Sequence, residues 1–162
     1  MKKKIVIIIV AVVLALALLI TGAILLLKSL FNDDMVITVG DTTASVGDTV
    51  KIPVKISGNK GFMAMLIDFE YDTEVLKYKS YQKGDFLTDY ELSDNNGNLK
   101  FMNLESNDVD DNGVLLYLEF EVISDKASST EIKLNIGENS ICNYNEEIIE
   151  AKSENGTVKI SK

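Results

Sequence analysis

The residues that first suggest chemistry run from Asp108 to Glu119. Asp108, Asp110 and Asn112 alternate, Gly113 follows, and Glu119 closes the run. That is the spacing of a twelve-residue calcium loop, in which hard oxygen donors surround the ion and a glycine allows the sharp turn. A loop of that kind needs a helix leaving it. Here Glu119 falls inside 114–123, whose side chains alternate as in a strand. The same residues otherwise make a weaker calcium site from Asp108, Asp110 and Asn112 alone, or a solvated acidic turn. The turn is the simpler reading, and no metal or cofactor is expected on this chain.

Other chemistries meet harder limits. The chain has no histidine, and Cys142 is its one cysteine. No Ser-His-Asp or Cys-His constellation and no ordinary zinc site can be assembled from that set. A glycosidase needs only two carboxylates, but with this many acids chance pairs occur everywhere, so no enzyme is expected. All the basic residues are lysines, and four of the 16 (Lys2, Lys3, Lys4 and Lys28) lie in or beside the first apolar run. The remaining 12 face 25 Asp and Glu, which leaves the part after Lys28 near −13. Such a body is a poor binder of nucleic acid, whose phosphates require clustered Lys and Arg. It suits solubility, cation binding or a basic partner.

The elements that position these residues begin with a membrane segment. Residues 5–27 carry no charge and are almost wholly aliphatic, long enough to span the hydrocarbon layer as a helix, which takes about 20 residues. A cleaved signal peptide has a shorter apolar region, roughly 7–15 residues. The run therefore predicts an uncleaved, single-pass signal anchor, with residues 1–4 as a basic cytoplasmic tip. The lysines before it outnumber Lys28 after it, which places the amino terminus in the cytoplasm and the acidic body outside the cell. Residues 28–35 form a short linker.

From 36 to 162 the pattern is that of strands. Met63, Met65, Ile67, Phe69 and Tyr71 alternate with Ala64, Leu66, Asp68 and Glu70. Val114, Leu116, Leu118, Phe120 and Val122 alternate with Leu115, Tyr117, Glu119 and Glu121. In each, the outward face opens with two apolar side chains before turning acidic, which is unusual for a face that merely meets water. Shorter alternating runs cover 36–39, 44–56, 90–93, 99–104, 131–136 and the last residues, with Asn95-Asn96-Gly97 as a hairpin signal. Pro53 predicts an edge position for its strand, because proline cannot donate to a ladder. Phe101 and Met102 compete for the core. Short strands, frequent turns and no helical period predict an all-β sandwich in a single domain.

Two blocks resemble the cohesin family, the receptor half of the cohesin–dockerin pair. Val46-Gly47-Asp48-Thr49-Val50-Lys51-Ile52-Pro53-Val54 is similar to the family's early V-G-x-x-V-x-I-P-V. Gly61 through Leu76 resembles its glycine, aliphatic run, Phe-x-Tyr-Asp and Val-Leu sequence. Gly84-Asp85, Asn112-Gly113-Val114-Leu115 and Asn155-Gly156-Thr157-Val158 add weaker likenesses, and together they span 36–161. The resemblance implies a jelly-roll sandwich of about nine strands that is not an enzyme. It also implies docking of a dockerin, a calcium-loaded helical module borne by polysaccharide-degrading enzymes or scaffolds, on a sheet face that includes the third and eighth strands. The strands at 63–71 and 114–123 are taken as those two. Ala64, Leu66, Asp68, Leu115 and Tyr117 are accordingly the expected partner-binding residues. Ala64 and Leu66 depart from the Asn and Asp that type I members place there, so the dockerin class does not carry over. Two other functions fit a sandwich of this kind: direct carbohydrate binding, which the absence of Trp disfavours, and an envelope or adhesion domain with another partner.

Overall fold

The computed structural model describes Ile20 and residues 34–161. The anchor expected at 5–27 lies outside the described residues, apart from Ile20. Among the described residues no helix is long and apolar enough to cross a membrane. Asp34–Lys162 forms a compact unit of its own.

That unit is an all-β sandwich. Its strands are β1 (Met35–Val39), β2 (Thr42–Ser45), β3 (Thr49–Ser57), β4 (Phe62–Tyr71), β5 (Leu76–Lys83) and β6 (Tyr90–Asp94), then β7 (Asn98–Val109), β8 (Gly113–Val122), β9 (Ser129–Cys142), β10 (Ala151–Glu154) and β11 (Gly156–Ser161). They make a five-stranded sheet, β10-β1-β3-β8-β5, and a six-stranded sheet, β2-β11-β9-β4-β7-β6. Alternation puts every second side chain of each strand into one shared core. Phe69 and Phe101 come from one sheet, Phe120 and Ile52 from the other, and all four are fully buried. Tyr71 of β4 meets Phe120 of β8 edge-on, with ring centroids 4.9 Å apart.

Eleven strands replace the expected nine because two long strands switch sheets. β1 passes to β2 across Gly40-Asp41, and β10 passes to β11 across Asn155; each first half lies in the five-stranded sheet and each second half in the six-stranded one. The two crossings touch. A Cβ on Gly156 would sit 2.6 Å from the Gly40 carbonyl oxygen, so glycine is required for this approach. The Asp41 carboxylate accepts the Thr157 amide at 2.7 Å and joins the two crossings. Counting each switched pair once restores nine strands.

Pro53 is not on an edge, since β3 lies between β1 and β8. Its carbonyl accepts the Gly40 amide at 2.8 Å, where β1 ends. In an antiparallel strand a residue's N–H and C=O point to the same side. The missing N–H therefore points to where β1 has already ended, and the ladder to β8 loses nothing.

Two register shifts alter the expected faces, the second of them a one-residue β-bulge. The β4–β7 register shifts between Phe62 and Ala64, so Phe62 and Met65 are both buried while Met63 is only half-buried. The β3–β8 register shifts between Val54 and Lys55, which pair with Leu116 and Val114 and leave Leu115 as the extra residue. A bulge inserts one residue and inverts the alternation beyond it. Leu115 and Leu116 are consequently buried side by side. Gly84 passes so close to the bulge that a Cβ there would lie 2.0 Å from the Val114 carbonyl oxygen. Asp85 pins it with two bonds: its amide donates to the Val114 carbonyl, and its carboxylate accepts the Val114 amide at 3.1 Å.

Candidate functional site

The five expected partner-binding residues do not form one surface. Ala64, Leu66 and Asp68 are on β4 of the six-stranded sheet, whereas Leu115 and Tyr117 are on β8 of the other. Leu115 is 0% exposed and belongs to the core, because the bulge turns it inward. Tyr117 does face outward, but from the opposite side of the sandwich. The strand beside β4 is β9, paired through Ala64–Cys142 and Asp68–Asn135. With the switched strands counted once, β9 is the eighth and β8 the seventh. Reading 114–123 as the eighth strand placed it one position too late.

The outer face of the five-stranded sheet satisfies itself. The Lys51 ammonium lies 3.9 Å from the Tyr117 ring centroid, a cation–π contact that covers the ring. Lys51 also donates to Gln82 at 2.6 Å, Gln82 donates to Glu119, and the Ser80 hydroxyl donates to Glu119 at 2.5 Å. Lys79 pairs with Glu121 at 3.1 Å. Each charged side chain named here has a neighbour on the same sheet.

The outer face of β9-β4-β7-β6 is different. Its rows follow from the register. Leu66 is opposite Met102, and Met102 is opposite Glu91. Ala64 is opposite Leu104 on one side and Cys142 on the other, and Cys142 bridges to Ile148. Leu66 is 49% exposed, Met102 53%, Leu104 62% and Ile148 46%. Of seven large hydrophobic side chains exposed among residues 34–161, these four share one face. Farther along, Asp68 is opposite Lys100 and Asn135, and Glu70 is opposite Asn98 and Lys133. One half of the face is thus apolar and the other charged. Leu66, Met102, Leu92 and Tyr81 line a shallow, mainly apolar depression rimmed by Glu91 and Lys100. The Asp68 Oδ1 is shielded from solvent and has no hydrogen-bond partner among the described residues.

Met102 and Leu104 are the residues the sequence pattern missed. Buried Asn103 stands between them, 2% exposed, its amide donating to the Asp89 carbonyl at 3.0 Å and to Glu105 at 3.2 Å. A polar residue pointing inward disguises the strand's inner row of Leu99, Phe101 and Asn103. Glu105 in turn holds the loop before β6, accepting from the Thr88 hydroxyl at 2.6 Å, the Thr88 amide at 2.8 Å and the Asp89 amide at 3.3 Å. Burial pushes the Glu105 carboxyl up, but the bonds from Thr88, Asp89 and Asn103 outweigh it and hold the group below its usual range.

The acidic loop is a tight connection between two strands, since β7 runs to Val109 and β8 starts at Gly113. Several of its oxygens are engaged within the domain. The Asn59 side chain donates to the Val109 carbonyl at 2.9 Å and to the Asp111 carbonyl at 2.8 Å, and the Asn59 amide donates to Asn112 Oδ1 at 3.0 Å. Asp108 accepts the Tyr144 amide at 2.7 Å. Glu119 is on the β8 face with Ser80 and Gln82, on a strand and not on the helix an EF-hand requires. Among the described residues no three acidic or cysteine side chains gather as a metal-holding group.

The cohesin-domain family model matches residues 35–160. The chain belongs to the cohesin family. No curated protein matches it. Solved structures share the fold. A non-cellulosomal cohesin from the hyperthermophilic archaeon Archaeoglobus fulgidus is 21% identical, with 80% of this chain and 92% of that one covered at a TM-score of 0.71. A Clostridium thermocellum type I cohesin–dockerin complex gives 20% identity, coverages of 79% and 99%, and a TM-score of 0.71. A cohesin from Clostridium acetobutylicum, solved in solution, gives 20%, 79% and 91%, and 0.69. As a cohesin, the chain is a binding module, and its candidate docking surface is the exposed apolar half of the β9-β4-β7-β6 face.

Proposed function

We propose that this cohesin docks a dockerin-bearing protein through the outer face of β9-β4-β7-β6, with Leu66, Met102 and Leu104 at the centre. The observation that carries this is the contrast between the two faces. One is covered by its own ion pairs and hydrogen bonds, and the other leaves a cluster of half-exposed aliphatic side chains. Clustered exposed apolar side chains rimmed by charge are the signature of a protein interface. Family membership supplies the class of partner, and the strand count puts the family's third and eighth strands, β4 and β9, side by side.

Residues 5–27 hold the domain at the cell membrane as a single-pass anchor, with the amino terminus in the cytoplasm and the sandwich outside. The linker is short, about 25 Å fully extended at ~3.3 Å per residue, so cargo docks close to the lipid surface. The cargo is a polysaccharide-degrading enzyme or a scaffold. Calcium belongs to the dockerin. The test is a titration of the full chain, in detergent, with a set of recombinant calcium-loaded dockerins. The expected result is saturable one-to-one binding of at least one dockerin. Failure of every dockerin to bind, with the chain folded, would overturn the assignment.

A further inference from the structure

The two sheets end in four edge strands, and one of them is unguarded. β2 and β10 are four residues long, and each is half of a strand that switches sheets. β5 carries Lys77, Lys79 and Lys83, and its register shifts between Tyr78 and Ser80. Lysines and bulges are the means by which edges resist further pairing. β6 has no lysine, no proline and no register shift against β7. Its backbone directions follow from the bonds at its two ends. The Asp89 carbonyl accepts the Leu104 amide at 3.5 Å, and the Asn95 amide donates to the Asn98 carbonyl at 2.9 Å. Odd-numbered residues therefore point their N–H and C=O at β7, and Tyr90, Leu92 and Asp94 point theirs at the open edge.

The side chains beside that edge restrict what can pair with it. Tyr90 is buried and Leu92 half-buried on the inner side, and Tyr81 of β5 packs 5.7 Å from Tyr90, ring centroid to centroid. On the outer side Glu91 and Ser93 are exposed, with Lys100 of β7 opposite Ser93. Glu91 has no ion pair among the described residues. A second copy, paired about a twofold axis through Leu92, would set Glu91 opposite Ser93 and Asp94 opposite Tyr90. Neither carboxylate would then face a cation, between two bodies of about −13 each. A uniformly apolar segment would desolvate Glu91 without a partner. An extended segment that alternates, apolar inward and charged outward, satisfies both sides of the edge.

We propose that the free edge of β6 takes an extended segment of another protein as a seventh strand of its sheet. The segment runs antiparallel to β6. It carries a large aliphatic side chain opposite Leu92, then a Lys or Arg opposite Glu91; the residue before the aliphatic one, opposite Ser93 and next to Lys100, is acidic or a hydroxyl. The outward N–H and C=O groups of Tyr90, Leu92 and Asp94 supply main-chain bonds, which give affinity, and the alternating side chains give specificity. The aliphatic side chain covers Leu92 and Tyr81 where β5 and β6 lie side by side. The cation pairs with Glu91 and is drawn in by the acidic body. This site is separate from the docking face, because the strand adds through backbone at the side of the sheet.

A phage-displayed library of linear octapeptides, panned on the detergent-solubilised full chain, tests this. The expected enrichment is Ser, Thr, Asp or Glu, then Leu, Ile or Val, then Lys or Arg. With a synthetic peptide of the enriched sequence, amide exchange at Tyr90, Leu92 and Asp94 should slow by about tenfold or more, while Glu91 and Ser93, already bonded to β7, change little. Leu92→Pro removes one outward N–H and leaves the β7 ladder intact, a position where an edge strand tolerates proline. It should weaken the peptide by about tenfold or more. Glu91→Lys keeps every backbone donor and should weaken it several-fold, a readout that stands even if the proline variant does not fold. The proposal is overturned if no sequence is enriched, if the peptide binds either variant undiminished, or if those three amides exchange unchanged. Exchange there that slows with protein concentration alone would make a second copy the occupant and overturn it as well.

Discussion

Replacing Leu115 by alanine separates two accounts of the same side chain. Read from alternation, Leu115 faces outward; in the structure it is fully buried at a bulge and packed in the core with Leu116. Truncating a buried leucine removes its transfer free energy and leaves a cavity, which costs about 2–5 kcal/mol. A sandwich of about 130 residues has an unfolding entropy near 0.27 kcal/mol/K, from ~2.1 cal/mol/K per residue, so Tm should fall by roughly 7–19 °C. Leu66→Ala gives the counterpart. Leu66 is half-exposed, so the same truncation should cost ~1 kcal/mol or less and shift Tm by at most about 4 °C. Scanning calorimetry of the two variants, paired with dockerin titration, gives four numbers. Leu115→Ala should lose stability and keep affinity at temperatures where it is folded, and Leu66→Ala should do the reverse. A Leu115→Ala variant with unchanged Tm and weakened docking would refute the bulge and return Leu115 to the surface.

Further outcomes test the parts that support the face. Asn59→Ala removes two side-chain hydrogen bonds to the turn at 109–112 and the one its oxygen accepts from the Gly61 amide, and should lower stability by about 1–3 kcal/mol, with faster amide exchange confined to residues 108–113. Gly84→Ala forces a Cβ into the Val114 carbonyl; circular dichroism melting should show a large loss of stability or no folded protein. The Glu105 carboxyl titrates below its unfolded value, so its stabilisation of the Thr88-Asp89 loop is complete above about pH 4.5 and fades as pH falls through the lowered value. NMR shifts of the Thr88 and Asp89 amides should follow that fall, and Glu105→Gln should abolish it. Burial, and then the nearby Tyr81, Asp94, Tyr71 and Glu119, push the Tyr78 hydroxyl up to about 12. The neutral phenol therefore stabilises the fold below about pH 10, and that contribution is lost as pH rises toward 12, which ultraviolet titration of Tyr78→Phe against the parent would detect.

Where alternation was regular, the sequence was enough. Phe69 and Ile67 on β4, and Leu118, Phe120 and Val122 on β8, are buried as their spacing requires. The failures have local causes. A bulge needs one extra residue and no special residue type, so Leu115-Leu116 reads as ordinary alternation until the β3 register is known. The signal that could have marked it is the run of three aliphatics, Val114 to Leu116, next to a Gly-Asp pair elsewhere that needs close backbone approach. β5 carries a weak pattern because its strand is mostly polar, with Leu76 its one fully buried side chain. Taking 114–123 as the eighth strand, when it is the seventh, moved half of the expected site to the wrong sheet. Met102 and Leu104 were obscured by Asn103, a buried amide whose partners, Asp89 and Glu105, only the folded chain brings together. Sequence did identify Ala64, Leu66 and Asp68 as an odd outward row. It could not show that Met102, Leu104, Cys142 and Ile148 extend that row across neighbouring strands, because pairing between distant segments is set by tertiary packing.

The central claim is that docking uses the six-stranded face and not the five-stranded one. The measurement that decides it is the affinity of the full chain for its dockerin with Leu66→Asp, set beside Tyr117→Asp, both half-buried or half-exposed positions on outer faces. Leu66→Asp should weaken the complex by about 30-fold or more, while Tyr117→Asp leaves it within about twofold. Loss of binding with Tyr117→Asp and retention with Leu66→Asp would place the partner on the other side of the sandwich and contradict the account.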